Sequence, residues 1–152
     1  MNQKANNLAV LYFTIFAFLL LLSAVALFVQ KIGWTPLDVL TYYRGDETRF
    51  IMSKSFDGVL ELLLPHFLAM GLFIMVMAHF LIFGSKKLQK QLKHTIVWLF
   101  LAAFLDIISP FLIIEGIEIF ALIKLGAFIL LQLLSIYLLG LLFFSSLQGS
   151  RL

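Results

Sequence analysis

The segment 59-VLELLLPHFLAMGLFIMVMAHFLIF-83 decides the fold. In it only Glu61, His66 and His79 are ionisable. At 1.5 Å per residue, a helix of that length crosses the roughly 30 Å hydrocarbon layer of a bilayer. Leu8 to Gln30, Thr95 to Ile114 and Ile119 to Phe144 read the same way. The fold class is therefore all-α: an integral membrane four-helix bundle, one domain over residues 1–152. Composition agrees, with 62% hydrophobic and 12% charged residues, against roughly 45–50% and 25% in soluble domains. With a mean hydropathy of +1.07, a water-soluble core of this size would leave too much apolar surface wet. The first stretch is longer than the 7–15 residues of a secretory h-region and has no small-x-small site after it, so it reads as a retained span.

Other classes fall away on composition. Without cysteine there is no disulfide framework, thiolate zinc or iron–sulfur site, or thiol-redox chemistry. The net charge of +3 does not point to nucleic acid, because the lysines cluster between two apolar spans and report membrane orientation. Gly84 to His94 carries Lys86, Lys87, Lys90 and Lys93 with no acid, and the tails add Lys4 and Arg151. The turn between the last two spans has only Glu115 and Glu118. The Lys31 to Gly58 connection also has four basic residues, but spread among Asp38, Asp46, Glu47 and Asp57. The bias predicts a multi-pass protein of the cell inner membrane with the lysine loop and both termini cytoplasmic. Its partners would be the lipid bilayer and either further copies of itself or a larger membrane complex.

The long outer loop carries a helix signal. Thr35-Pro36-Leu37-Asp38 supplies a cap, a proline at the first helical position and an acid three residues after the cap. A short interfacial helix ending near Gly45 is expected, with Trp34, Tyr42 and Tyr43 anchoring it on the outer surface. The alternative is a lid over a pocket that opens outward.

Ionisable and polar groups inside spans are costly and usually face the bundle interior. Taking each span's middle as the midplane, His66 lies about 7 Å to the outer side, Asp106 about 2 Å, Ser109 about 7 Å and Lys124 about 10 Å. Ser23 falls at about 6 Å on the same arithmetic, and Glu61 lies nearer the outer interface. An interior cluster of His66, Asp106, Ser109 and Lys124, with Glu61 above it, is the candidate ligand-binding site. Helical phase supports it. Lys124, Phe128, Gln132 and Ser135 share one stripe, as do Ala102, Ala103, Asp106, Ser109 and Pro110, and His66, Met70, Phe73 and Met77. Pro65 frees a backbone carbonyl beside His66. Each residue has a plainer role: Lys124 can snorkel to the headgroups, and Asp106 can serve as a packing hydrogen bond. Met70, Met75 and Met77 read as gap-filling packing rather than a copper relay.

Two cofactors fit such a span set. A b-type haem needs two facing axial ligands. His66 and His79 are about 19 Å apart along the helix and some 140° apart in phase, so they cannot share one haem. His79 and His94 lie at similar depth and are a permitted pair. A quinone headgroup held by His66 with Asp106 nearby is the other reading.

The stretches Glu61-Leu62-Leu63-Leu64-Pro65-His66-Phe67, Gly71, Ala78-His79-Phe80-Leu81 and Asp106-Ile107-Ile108-Ser109-Pro110 resemble a group of small four-span bacterial inner-membrane proteins with no assigned activity. That group has an acid and two leucines before a His-x-His pair, then a glycine-histidine pair, then an aspartate-x-x-serine-proline turn. Here Leu68 stands for the second histidine and Ala78 for the glycine. The resemblance implies weight on His66, His79 and Asp106 and names no reaction. No HExxH, GxSxG or phosphate loop is present, so the chain does not read as an enzyme and no catalytic residue is assigned. The favoured reading is an accessory or electron-transfer-associated subunit that binds quinone or haem. The alternatives are a structural or assembly protein without ligand, and an oligomeric small-solute or ion transporter.

Overall fold

A computed structural model of the chain describes residues 3–82 and 86–149. Its helices are α1 (Gln3–Lys31), α2 (Pro36–Arg44), α3 (Phe56–Ile82), α4 (Lys86–Ile114) and α5 (Ile119–Gly149), with a single 3₁₀ turn at Glu47–Arg49. Four of them, α1, α3, α4 and α5, are long and apolar enough to cross a membrane. Among the described residues there is no strand, only an isolated bridge between Asp46 and Ile51. The expected all-α membrane bundle is thus present.

The helices overrun the expected spans: α1 starts at Gln3 rather than Leu8 and α5 runs to Gly149 rather than Phe144. α3 starts at Phe56 rather than Val59, because Ser55 Oγ accepts the Gly58 N–H at 3.1 Å and caps the helix early. α4 starts at Lys86, so most of the segment expected as a loop to His94 is helical. Its run of Lys, Leu and Gln consists of strong helix formers, and that propensity carries the helix beyond the apolar span. The side chains of Lys4, Lys86, Lys87, Lys90 and Arg151, on which the expected orientation leans, lie outside the described residues.

The spans form a row: α1 packs on α5, α5 on α4 and α4 on α3. Ala102, Ala103 and Ser109 of α4 and Ala121, Ala127 and Ser135 of α5 are all buried. These small side chains bring the two helices close together. α1 and α3, at the ends of the row, barely meet. One contact between them is the stack of Phe13 on Phe73, with ring centroids 6.4 Å apart. At the α2 end, Phe28 of α1 stacks on Phe128 of α5 at 3.9 Å.

α2 sits where the sequence placed it. Thr35 Oγ1 accepts the Asp38 N–H at 3.1 Å, and Asp38 Oδ2 accepts the Thr35 N–H at 3.0 Å, which completes the capping box. Those bonds from Thr35 hold the Asp38 carboxyl below its usual range. The helix is more than a surface anchor, however. Val39 and Tyr43 are 0% and 1% exposed, packed with Phe28, Ile113 and Phe128. Trp34 and Leu37 remain exposed on its outer side. α2 therefore plugs the mouth of the bundle. Arg44 holds it to Glu118 in the α4–α5 turn at 2.7 Å, and Lys54 donates its N–H to the Tyr43 carbonyl at 2.9 Å. The chain reverses at Gly45, whose φ of 79° and lack of room (a Cβ would overlap the Ile51 carbonyl oxygen) admit no side chain.

Gly45→Ala is therefore expected to destabilise the protein by about 2 kcal/mol through backbone strain. Gly126→Ala, where a Cβ meets nothing within 4 Å, should leave stability unchanged or slightly raised. Thermal unfolding of both variants in detergent checks the contrast.

Candidate functional site

The site begins with a proline. Pro110 lies inside α4 and has no N–H to give the carbonyl four residues back, that of Asp106. A buried carbonyl without a donor is costly in a bilayer. Lys124 fills the vacancy. Its Nζ donates to the Asp106 carbonyl oxygen at 2.9 Å and to the Asp106 carboxylate Oδ1 at 2.7 Å. Both side chains are buried, at 5% and 6% exposure. Asp106-x-x-Ser109-Pro110 is in effect a lysine socket, offering a carboxylate and a released carbonyl on one side of one helix.

The direction of reach matters. Asp106 lies eight residues from the end of α4 and Lys124 five residues from the start of α5. The Lys124 ammonium therefore extends roughly 4–5 Å deeper than its own backbone to meet its partner. A lysine snorkelling toward the near interface would point the other way. Pairing overrides snorkelling because each charge alone at this depth costs about 3 kcal/mol or more.

Above the pair stands Tyr43 of α2, 1% exposed. Burial foremost, then the charge of Asp106 and the neighbouring Tyr42, push its phenol well above the usual tyrosine range, so it stays protonated. Beside the pair runs a groove of about 320 Å³ between α1 and α3, within the size range of small-molecule pockets. Its walls are mostly apolar, with Leu20 and Leu27 on α1 and Leu63, Met70 and Phe73 on α3, joined by Ser23, Lys31 and His66. Its floor is polar: Asp106, Lys124, Gln132 and Ser135. Ser23, Leu20 and Leu27 of α1 and Leu62, His66 and Ala69 of α3 line the groove and are exposed. The groove therefore opens sideways, toward the layer the spans cross.

The sequence candidates divide accordingly. Asp106 and Lys124 meet, and His66 lines the wall beside them. Ser109 is buried, but its hydroxyl donates to the Leu105 carbonyl of its own helix and does not join the groove. Glu61 is exposed and outside the groove, as are His79 and His94. The stripe Lys124, Phe128, Gln132 and Ser135 is buried throughout. Sequence reasoning missed Tyr43 as a plug, and it placed Gln132 on the inward stripe without counting it among the site residues. It noted the carbonyl freed by Pro65 but not the one freed by Pro110, for which the Asp-x-x-Ser-Pro spacing was the available signal.

Fold and groove together define a multi-pass helical membrane protein with a lateral cleft. Residues 33–151 match the model of the Aq_1264_TM family, a transmembrane helical domain, and the chain belongs to that family. The match covers α2 to α5 and leaves α1 outside it. No curated protein and no solved structure matches the chain.

Removing either member of the pair strands the other in an apolar setting. Asp106→Leu and Lys124→Met are each expected to destabilise by about 3–5 kcal/mol, and the double variant by much less. A double-mutant cycle of thermal unfolding measures this, and additive losses would show that the two groups do not depend on each other.

Proposed function

We propose that this protein is an accessory, electron-transfer-associated membrane subunit that holds the ring of a quinone in the groove between α1 and α3. One observation carries the reading: a bilayer-facing cleft with mostly apolar walls that ends on a buried, hydrogen-bonding floor at Asp106 and Lys124. A lipophilic molecule enters such a cleft from the membrane without crossing water, and its polar head finds donors at the bottom. At the floor the Asp106 carboxylate already balances the Lys124 charge, which favours a neutral head at that depth, while Lys31 at the end of α1 also lines the groove. Quinone is favoured over b-type haem because His66 alone of the three histidines lines the groove, whereas bis-histidine ligation needs two.

The two tryptophans, Trp34 and Trp98, provide a reporter. Trp34 packs edge-on against Phe28, a groove residue, with ring centroids 6.2 Å apart. In a Trp98→Phe background, decyl-benzoquinone is expected to quench Trp34 saturably. The Asp106→Leu/Lys124→Met double variant should weaken that binding about tenfold or more, a loss of about 1.4 kcal/mol. Linear quenching of equal strength in both proteins would leave the pair a packing device and the protein a structural one.

We further propose the bacterial inner membrane, with α2 outside and the lysine-rich end cytoplasmic. The chain has no native cysteine, so single-cysteine variants are clean reporters. Ser53→Cys should react with an impermeant maleimide on intact spheroplasts and Lys87→Cys only after lysis; the reverse pattern would invert the topology.

A further inference from the structure

Between α2 and α3 the chain from Asp46 to Lys54 folds into a small hairpin that turns apolar side chains outward. Phe50 is 94% exposed and Met52 88%, with Ile51 between them also exposed. Inside a span, lipid covers such residues. These three precede α3, whose apolar span begins at Phe56, and no described residue of the chain covers Phe50 or Met52. A cluster of large apolar side chains left bare in this way marks a contact surface.

The hairpin is built rather than slack. Asp46 and Ile51 exchange both backbone hydrogen bonds, at 2.9 and 3.0 Å. The Asp46 carboxylate accepts the Thr48 N–H at 2.9 Å and its hydroxyl at 2.6 Å. At the tip Phe50 has a φ of 56°, the one non-glycine residue at positive φ among the described residues. A bulky side chain is strained there, and glycine or asparagine would close the same turn at less cost. The stability of the turn therefore does not account for Phe50, whereas presentation of its ring does.

The surroundings indicate what receives that ring. At the base of the hairpin Lys54 is bonded to the Tyr43 carbonyl, and Tyr43 is buried in the mouth of the bundle. Met52 is four positions before Phe56, hence within about 14 Å of it even at full stretch. The tip is thus held within reach of the head-group layer at the α2 end. Trp34, Leu37 and Phe56 expose apolar surface at the same end, as the aromatic belt of a membrane interface does. Arg49, beside Phe50, is largely exposed and meets Asp46 only at 3.4 Å, which leaves guanidinium N–H groups for a phosphate. Asp46 and Glu47 offset the charges of Arg49 and Lys54, so apolar insertion rather than net charge holds the tip.

We infer that this hairpin is a lipid-docking element: Phe50, Ile51 and Met52 dip into the head-group boundary of the leaflet at the α2 end, with Arg49 on lipid phosphate. Apolar groups that lie in this layer reach about 5–10 Å into it. The membrane surface then holds α2 in place from one side while the Arg44–Glu118 pair holds it from the other. Nothing in this depends on what the groove binds.

The test puts a single tryptophan at the tip, Phe50→Trp in a Trp34→Phe/Trp98→Phe background, with the full chain in phosphatidylcholine nanodiscs. Its emission is expected to be blue-shifted, strongly quenched when the lipid is brominated near the head-group end of its chains, and little affected by iodide. Met52→Trp in the same background should behave alike, so the failure of one variant to fold still leaves a reading. Red-shifted emission that iodide quenches and brominated lipid does not would put the tip in water and overturn the inference. Blue-shifted emission that neither quencher reaches would mean that protein, a second copy included, covers the tip, and would overturn the choice of lipid.

Discussion

An ammonium and a carboxylate 2.7 Å apart in the apolar part of a helical bundle set the terms for everything around them. Neither charge is tolerable alone at that depth, so α4 and α5 must stay in register and in contact. The contact is permitted because both helices present alanine and serine at their interface. Pro110 makes it more than an ion pair. By withholding one N–H, it turns the α4 backbone into a second acceptor for Lys124. A helix defect that would be a cost elsewhere becomes half of a binding socket.

The groove follows from that commitment. With α4 and α5 locked together, α1 joins one flank and α3 the other, and the row does not close. Phe13 on Phe73 bounds the gap at one depth. Phe28 on Phe128 and the α2 plug bound it near the mouth. What lies between is open to the side and polar at its base. Tyr43, kept protonated by burial and by Asp106, seals the base from the α2 end without adding a charge. Entry from the bilayer is thus easier than entry from water.

Much of this was legible in residues. Four long apolar runs specified four spans, because hydrocarbon thickness leaves little freedom in length. The capping box of Thr35 and Asp38 announced α2 and Gly45 announced its end. Period-four spacing placed Lys124, Phe128, Gln132 and Ser135 on a buried face. What failed was whatever depends on side-chain direction or tertiary contact. Lys124 was free, on depth alone, to snorkel outward, and only its partner's position two turns down α4 decides otherwise. Ser109 shares the face of Asp106, yet its hydroxyl is used by its own helix. Aromatic residues in an interfacial loop suggest an anchor, and nothing local says that Tyr43 turns inward while Trp34 turns out.

The pair also bears on how the chain enters the membrane. Residues 106 and 124 are 18 positions apart, on helices joined by a turn of four residues, so they are neighbours almost as soon as both are synthesised. A span carrying an unpaired aspartate or an unpaired lysine partitions poorly from the insertion machinery into lipid. Joined, they present a neutral, internally hydrogen-bonded unit. The α4–α5 hairpin is therefore the natural unit of insertion, integrating as one piece rather than as two helices in succession.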